Sequence, residues 1–290
     1  MRCPACSPSA AAWPLDYCSF EESTVTITRS PAVAGMFYPG RPAVLAATVD
    51  QLLAAAPASE APQPKALIAP HAGYVYSGST AAMAYALLAP WRSTIRRVVL
   101  LGPTHRVAVD GIAVPKAGAF ATPLGGIPLD GAAIARLATL PQIVFSDRAH
   151  AEEHSLEVHL PFLQRVLDDF TLVPLAVGHA TPQAVAEVLD LLWGGPETLI
   201  VISSDLSHFL PYGAANQVDR DTCTHILQLD THIRPEQACG AYPVNGLLLA
   251  ARQRGLAPQL IHRCNSGDTA GDKQRVVGYA AFTFTEASDA

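Results

Sequence analysis

Three segments of this 290-residue chain place side chains of the metal-ligand type directly behind apolar runs. His71 follows KALIAP in P-H-A-G-Y, and His105 follows RRVVLLGP in G-P-T-H. Ser203, Ser204, Asp205 and His208 follow TLIVI in S-S-D-L-S-H. Neutral imidazole suits iron, copper and zinc, and a carboxylate such as Asp205 is the usual partner that fixes an imidazole's orientation. A lone histidine at a strand end most often makes a structural hydrogen bond, but three such segments delivered to one edge point to a metal. Cys239, in A-C-G-A-Y-P-V just ahead of a helical pattern, lies where a helix N-terminus favours a thiolate. It joins His71 and His105 as the third candidate ligand of a mononuclear centre. His208 and Asp205 are the candidates for proton transfer there, and Tyr74, Glu153, His154 and Ser203 are expected around the substrate pocket.

The string H-A-E-E-H at 150–154 fits the inverted zinc-protease pattern, in which two histidines four apart on one helix bind zinc beside a Glu. The preceding S-D-R-A reads as loop, so a zinc hydrolase stays the minor reading. Glu157 and His159 read as ordinary helix residues, and Cys223 and Cys264 as packing residues. The glycines beside the histidines, Gly73 and Gly102, are expected to allow the sharp turns that expose a neighbouring side chain. No dinucleotide fingerprint, phosphate-binding P-loop or serine nucleophile elbow occurs in the sequence.

These residues need elements to hold them, and the chain from about Arg29 alternates short apolar runs with Ala/Leu-rich helical patterns. Strands are expected at 65–70, 96–103, 171–178 and 198–205, with two more, antiparallel to each other, near the C-terminus. Helices are expected at 77–89, 130–140 (with Asp130 as N-cap), 154–167 (bent or begun at Pro161), 182–193 and 243–255. The rhythm predicts one α/β domain over 29–290, a mostly parallel central sheet flanked by helices. Ligands of such sheets bind beyond the carboxyl ends of the strands, where these candidates cluster. Residues 1–28 read as a loosely ordered leader. Its Cys3, Cys6 and Cys18 fall one short of a closed four-ligand zinc site.

The bulk numbers exclude several function classes. With 50% hydrophobic and 15% charged residues the chain has material for a core, and a net charge of −6 with no basic stripe argues against nucleic acid. The longest apolar stretch, ALIAPHAGYVYSG, is broken by Pro70, His71 and Gly73, so no membrane span is expected. The N-terminus lacks the form of a secretory signal, and a reducing cytoplasm follows as the expected compartment.

With these residues assembled, the chain resembles the Memo family (mediator of cell motility), known in prokaryotes as AmmeMemoRadiSam system protein B. The resemblance runs in order from S-P-A-V-A-G-M-F-Y-P near residue 30 through P-H-A-G-Y-V-Y-S-G, V-L-L-G-P-T-H, T-P-L-G, E-E-H-S-L-E-V-H-L-P-F-L and S-S-D-L-S-H to A-C-G-A-Y-P-V and V-V-G-Y. It leaves out only the first 28 residues. It implies a fold related to the LigB-type class III extradiol dioxygenases, which hold nonheme iron(II) with two histidines and a carboxylate. Here the carboxylate position carries a cysteine. Carried over, His71 and His105 match the metal histidines, Cys239 the third ligand and His208 the acid/base, with Asp205 in the same motif. The resemblance implies iron(II), with copper or zinc as the other metals. It implies a small-molecule or peptide substrate, and an AMMECR-type protein and a radical SAM protein as partners. Two readings stay open: an oxygen-dependent iron enzyme, and a non-catalytic adaptor using the inherited pocket for peptide recognition, as in animal relatives. Thiolate in place of carboxylate keeps the charge but softens the site, which favours tighter iron(II) or copper(I) binding and argues against the ring-cleavage chemistry of the dioxygenases.

Overall fold

The computed structural model describes residues 27–57 and 62–286. Apart from Ile27 and Thr28, the leader and its three cysteines lie outside the described residues. Four strands, Ala66–Ala69, Thr198–Ser203, Arg97–Pro103 and Thr171–Val177, lie side by side in that order and run parallel. Their residues are apolar at nearly every position because helices cover both faces of the sheet. Leu67, Val98, Leu100, Leu199 and Val201 face helices Pro42–Ala55, Tyr74–Tyr85 and Leu160–Val166. Ile68, Val99, Leu101, Ile200 and Ile202 face Pro182–Leu192 and Ala241–Arg254.

The centre of the sheet is thus parallel, as expected, and antiparallel strands at its two ends make the whole sheet mixed. Strand Val276–Glu286 pairs antiparallel with Ala66–Ala69 and carries Leu256–Asn265 antiparallel on its other side, as the sequence suggests for the last two strands. At the opposite edge Ile112–Val114 runs antiparallel to Thr171–Val177, followed by Ile143–Phe145. Strand His208–Leu210 pairs with the start of Val276–Glu286. A small second sheet joins Thr28–Arg29, Ala119–Thr122 and Gly125–Pro128.

The expected helix 154–167 is two helices, His154–Glu157 and Leu160–Val166, the second opening with Pro161 in its first turn. Asp130 caps helix Gly131–Leu137 as expected, its carboxylate accepting the Ala133 N–H. S-D-R-A is not loop: Ser146 caps a short helix, Asp147–Ala151. That helix ends before His154, so no single helix carries both histidines of H-A-E-E-H. Among the described residues no helix is long and apolar enough to cross a membrane.

Candidate metal centre

Pairing register brings the candidates together. Ala69 pairs with Ser203, and Leu101 pairs with Ile202, so strand Thr198–Ser203 ends between its two neighbours. His71, Asp205 and His105 each sit two residues beyond the end of their strand. A third imidazole, His154, arrives from the first turn of helix His154–Glu157. One ring nitrogen from each of His71, His105 and His154 lies within 4.8 Å of the other two. Ring centroids are 5.2 Å apart for His71 and His105, 5.5 Å for His71 and His154, and 4.5 Å for His105 and His154.

Each ring is held from behind. His71 Nδ1 meets Ser203 Oγ at 2.6 Å, and that hydroxyl donates to the Ser155 carbonyl at 2.6 Å. Since the serine proton is used on Ser155, Nδ1 of His71 is the donor and Nε2 is left bare. His105 Nδ1 meets Glu153 Oε1 at 2.8 Å, and Oε2 accepts the His105 backbone N–H at 2.5 Å. His154 Nδ1 lies 3.5 Å from the same Oε1. A carboxylate behind a ligating imidazole fixes its tautomer and raises its basicity. Ser203 and Glu153, expected at the substrate pocket, thus serve as supports for the rings.

Electrostatics suit a cation. Burial, then the neighbouring imidazoles, push His71 well below the ordinary histidine range. Burial followed by His105 lowers His154 to about 4. Burial would raise the Glu153 carboxyl, but hydrogen bonding and charge from His105, with the Ser155 N–H, outweigh it and hold it at about 2. Three crowded imidazole nitrogens with an ionised carboxylate behind them form a donor set that fits a transition-metal cation.

Cys239 adjoins the cluster through His71, with Sγ 3.4 Å from Nε2. Two donors on one metal, at roughly 2.0–2.1 Å for nitrogen and 2.3 Å for sulfur, stand about 3.1–3.6 Å apart, so the thiol is placed as a neighbouring donor. It is seated where the chain closes on Ser203–Asp205: Gly240 N–H donates to Ser204 Oγ at 3.0 Å, and Asp205 N–H reaches Sγ at 3.3 Å. A Cβ on Gly240 would stand 2.6 Å from the Ser203 carbonyl oxygen, so glycine is required for this approach. With no metal beside it, burial, then the Asp205 charge, pushes the thiol upward against the hydrogen bonds from the Asp205 N–H, Ser204 and the Gly240 N–H.

Asp205 accepts the His71 N–H at 2.8 Å, and burial raises its carboxyl to about 7. His208 donates from Nδ1 to the Leu206 carbonyl at 2.8 Å, so its orienting partner is that backbone oxygen rather than Asp205. Burial lowers its pKa against the opposing effect of the Leu206 hydrogen bond. His208 opens a bulge: register slips between His208 and Leu210, and Phe209 adopts φ 59°. Such bulges re-aim side chains beside functional sites.

Tyr74 is buried with its hydroxyl on the Val158 carbonyl at 2.8 Å. The role of Gly102 is also corrected. It lies inside its strand, and a Cβ there would stand 2.8 Å from Ser155 Oγ and 3.1 Å from Ser203 Cβ, so it provides clearance and not a turn. Glu157 and His159, read as ordinary helix residues, are fully buried. Glu157 pairs with Arg29 and accepts the Tyr38 hydroxyl at 2.5 Å, while His159 Nδ1 bonds the Tyr85 hydroxyl at 2.8 Å. His150 turns away from the centre, with Nε2 on the Ala113 carbonyl at 3.0 Å.

The Memo-like protein family matches residues 29–283. A MEMO1 family protein of Methanosarcina barkeri is 36% identical over 267 residues, covering 87% of this chain and 98% of the relative. Those of Aquifex aeolicus (35%; 88% and 98% covered) and Sulfolobus acidocaldarius (33%; 88% and 99% covered) are similarly related. An uncharacterised protein, JW3007, from Escherichia coli K12 shares the fold, with TM-score 0.51 and 13% identity over 75% of this chain and 98% of its own. The chain belongs to the Memo-like protein family.

Proposed function

We propose that this protein binds a single redox-active metal, iron(II) or copper, at His71, His105 and His154, with Cys239 beside them as a further donor, and acts as an oxygen-dependent enzyme. The observation that carries the reading is the convergence of three ring nitrogens within 4.8 Å of one another. Bound there, the metal would supply a redox-active Lewis acid for oxygen chemistry. The chain's own residues do the rest. Glu153 and Ser203 keep the rings aimed, and the hydrogen bond from Nδ1 to Leu206 leaves Nε2 of His208 as a bare base that can accept a proton.

The free thiols Cys223, Cys239 and Cys264 support a reducing, cytoplasmic setting. Family membership supports partnership with an AMMECR-type protein and a radical SAM protein. The test is anaerobic loading with iron(II) or copper(I), elemental analysis, and oxygen uptake with small aromatic and peptide substrates. About one metal per chain in the wild type, with large losses in His71→Ala and His105→Ala, is the expected result. Full occupancy in both variants would overturn the reading.

A further inference from the structure

A cavity of about 640 Å³ has Phe37 in its wall. Phe37 also reaches the histidine cluster: its ring packs on His154 with centroids 4.7 Å apart. Its backbone is pinned, because the Tyr74 N–H donates to the Phe37 carbonyl at 2.8 Å and Gly35 N–H closes on the Tyr38 carbonyl at 2.8 Å. Gly35 takes φ 82° in that clasp, a conformation that suits glycine. Tyr74 stands three residues after His71, so the turn that presents the metal ligand also builds the wall.

The wall is uncharged. Phe37, Tyr38 and Tyr74 contribute rings, and Met36, Leu52 and Val75 contribute aliphatic surface. Both tyrosine hydroxyls are spent elsewhere, on Glu157 and on the Val158 carbonyl, and the Thr48 hydroxyl donates to Val44. The mouth is apolar too: Met36 is 72% exposed and Val75 65% exposed, side chains that gain by covering. The volume falls in the range of small-molecule sites, about 300–1,000 Å³.

We propose that this cavity binds the uncharged aromatic part of the molecule on which the metal centre acts, with Phe37 as the partition between them. The assignment rests on the metal reading above. It predicts a substrate whose apolar ring lodges among Phe37, Tyr38 and Tyr74 while its reactive end passes Phe37 toward His154. No charged side chain lines the wall, so a charged ring substituent would lose its hydration there without a counter-ion.

The test uses the full chain and a neutral aromatic probe, 4-fluorotoluene, followed by its ¹⁹F resonance. Two variants block the cavity without touching the core. Ala55→Trp adds a ring at an exposed helix end on the cavity wall, and Val75→Asp puts a charge at the mouth, in a first helical turn where an acid favours the helix. The expected result is saturable binding to the wild type, weakened about tenfold or more in both variants, with melting temperature and metal content unchanged. Copper(II) loaded at the cluster should broaden the bound probe's line relative to zinc, and this broadening should vanish in His71→Ala. Absence of probe binding, equal binding in both variants, or a line that copper leaves sharp would each overturn the proposal. Elemental analysis is read separately: a wild type that takes up no metal would overturn the metal reading, and this assignment with it, even if the probe bound.

Discussion

Glu153 grips His105 twice, through Oε2 on its backbone N–H at 2.5 Å and through Oε1 on Nδ1 at 2.8 Å. The same carboxylate accepts the Ser155 N–H at 2.9 Å and so caps the helix that carries His154. One side chain therefore sets the positions of two imidazoles. Glu153→Gln removes the charge behind both rings while keeping the shape. Metal affinity should fall about 10- to 100-fold with little change in circular dichroism. Titration against a competing chelator measures it, and an unchanged affinity would reduce Glu153 to a helix cap.

His154 and Cys239 flank the cluster on chemically different terms. His154 is within 4.8 Å of both other ring nitrogens, whereas Cys239 approaches His71 and must lose a proton that burial holds. Uptake of iron(II), copper(I) or zinc should collapse in His154→Ala. Cys239→Ser should discriminate, weakening copper(I) far more than zinc, because thiolate is the soft donor of the set. Complete loss of all metals in Cys239→Ser with retention in His154→Ala would reverse these assignments.

The strand-end reading found His71, His105, Asp205 and His208 because βα chemistry sits where parallel strands stop, and apolar runs mark those ends plainly. His154, expected at the substrate pocket and not among the ligands, escaped that logic because it enters from a helix start, after a loop rather than a strand. Its signal was the cap residue Glu153 directly before it. Glu157 was illegible for a different reason: its partners, Arg29, Ala32, Val33 and Tyr38, lie more than a hundred residues away in sequence. The strands Ile112–Val114 and Ile143–Phe145 at that end of the sheet are three residues long, too short for a period of two to register.

That buried carboxylate makes a stability prediction. Glu157 receives the Arg29 guanidinium, two backbone N–H groups and a tyrosine hydroxyl with no exposure to solvent. Glu157→Gln leaves Arg29 charged and buried without its counter-ion, which typically costs about 3–5 kcal/mol. Urea unfolding should show the midpoint fall by a corresponding amount. A loss under about 1 kcal/mol would mean that Arg29 finds water or another acceptor.

Acid stability should depend on His159. Burial alone lowers its pKa from 6.5 to about 3, and burial chiefly lowers His150 to about 4. Between these values and 6.5 the unfolded chain binds more protons than the folded one. Stability is therefore complete above about pH 6.5 and declines as pH falls through the window toward 3. His159→Gln can still bond the Tyr85 hydroxyl but cannot titrate. Its melting temperature should start lower at pH 7 yet fall less steeply between pH 6.5 and 4.5, which thermal melts across that range would show; parallel slopes would reject the assignment.

The last prediction separates ligand from base at His208. Its Nδ1 is committed to the Leu206 carbonyl, its Nε2 carries no protein partner among the described residues, and it stands outside the set of three converging nitrogens. A metal held by three imidazoles with a thiol beside them, as proposed, would not need it for affinity, whereas a neutral imidazole beside that site is suited to accept a proton. His208→Ala should therefore keep its metal, within error of wild type by elemental analysis. Any oxygen-dependent turnover found for the wild type should fall about 10²- to 10⁴-fold where proton transfer limits the rate. His208→Gln should behave like the alanine variant, because an amide can hold the Leu206 carbonyl but cannot accept a proton. Loss of metal in both variants, as complete as in His71→Ala, would make His208 a ligand instead and fill a position that substrate or oxygen would otherwise use.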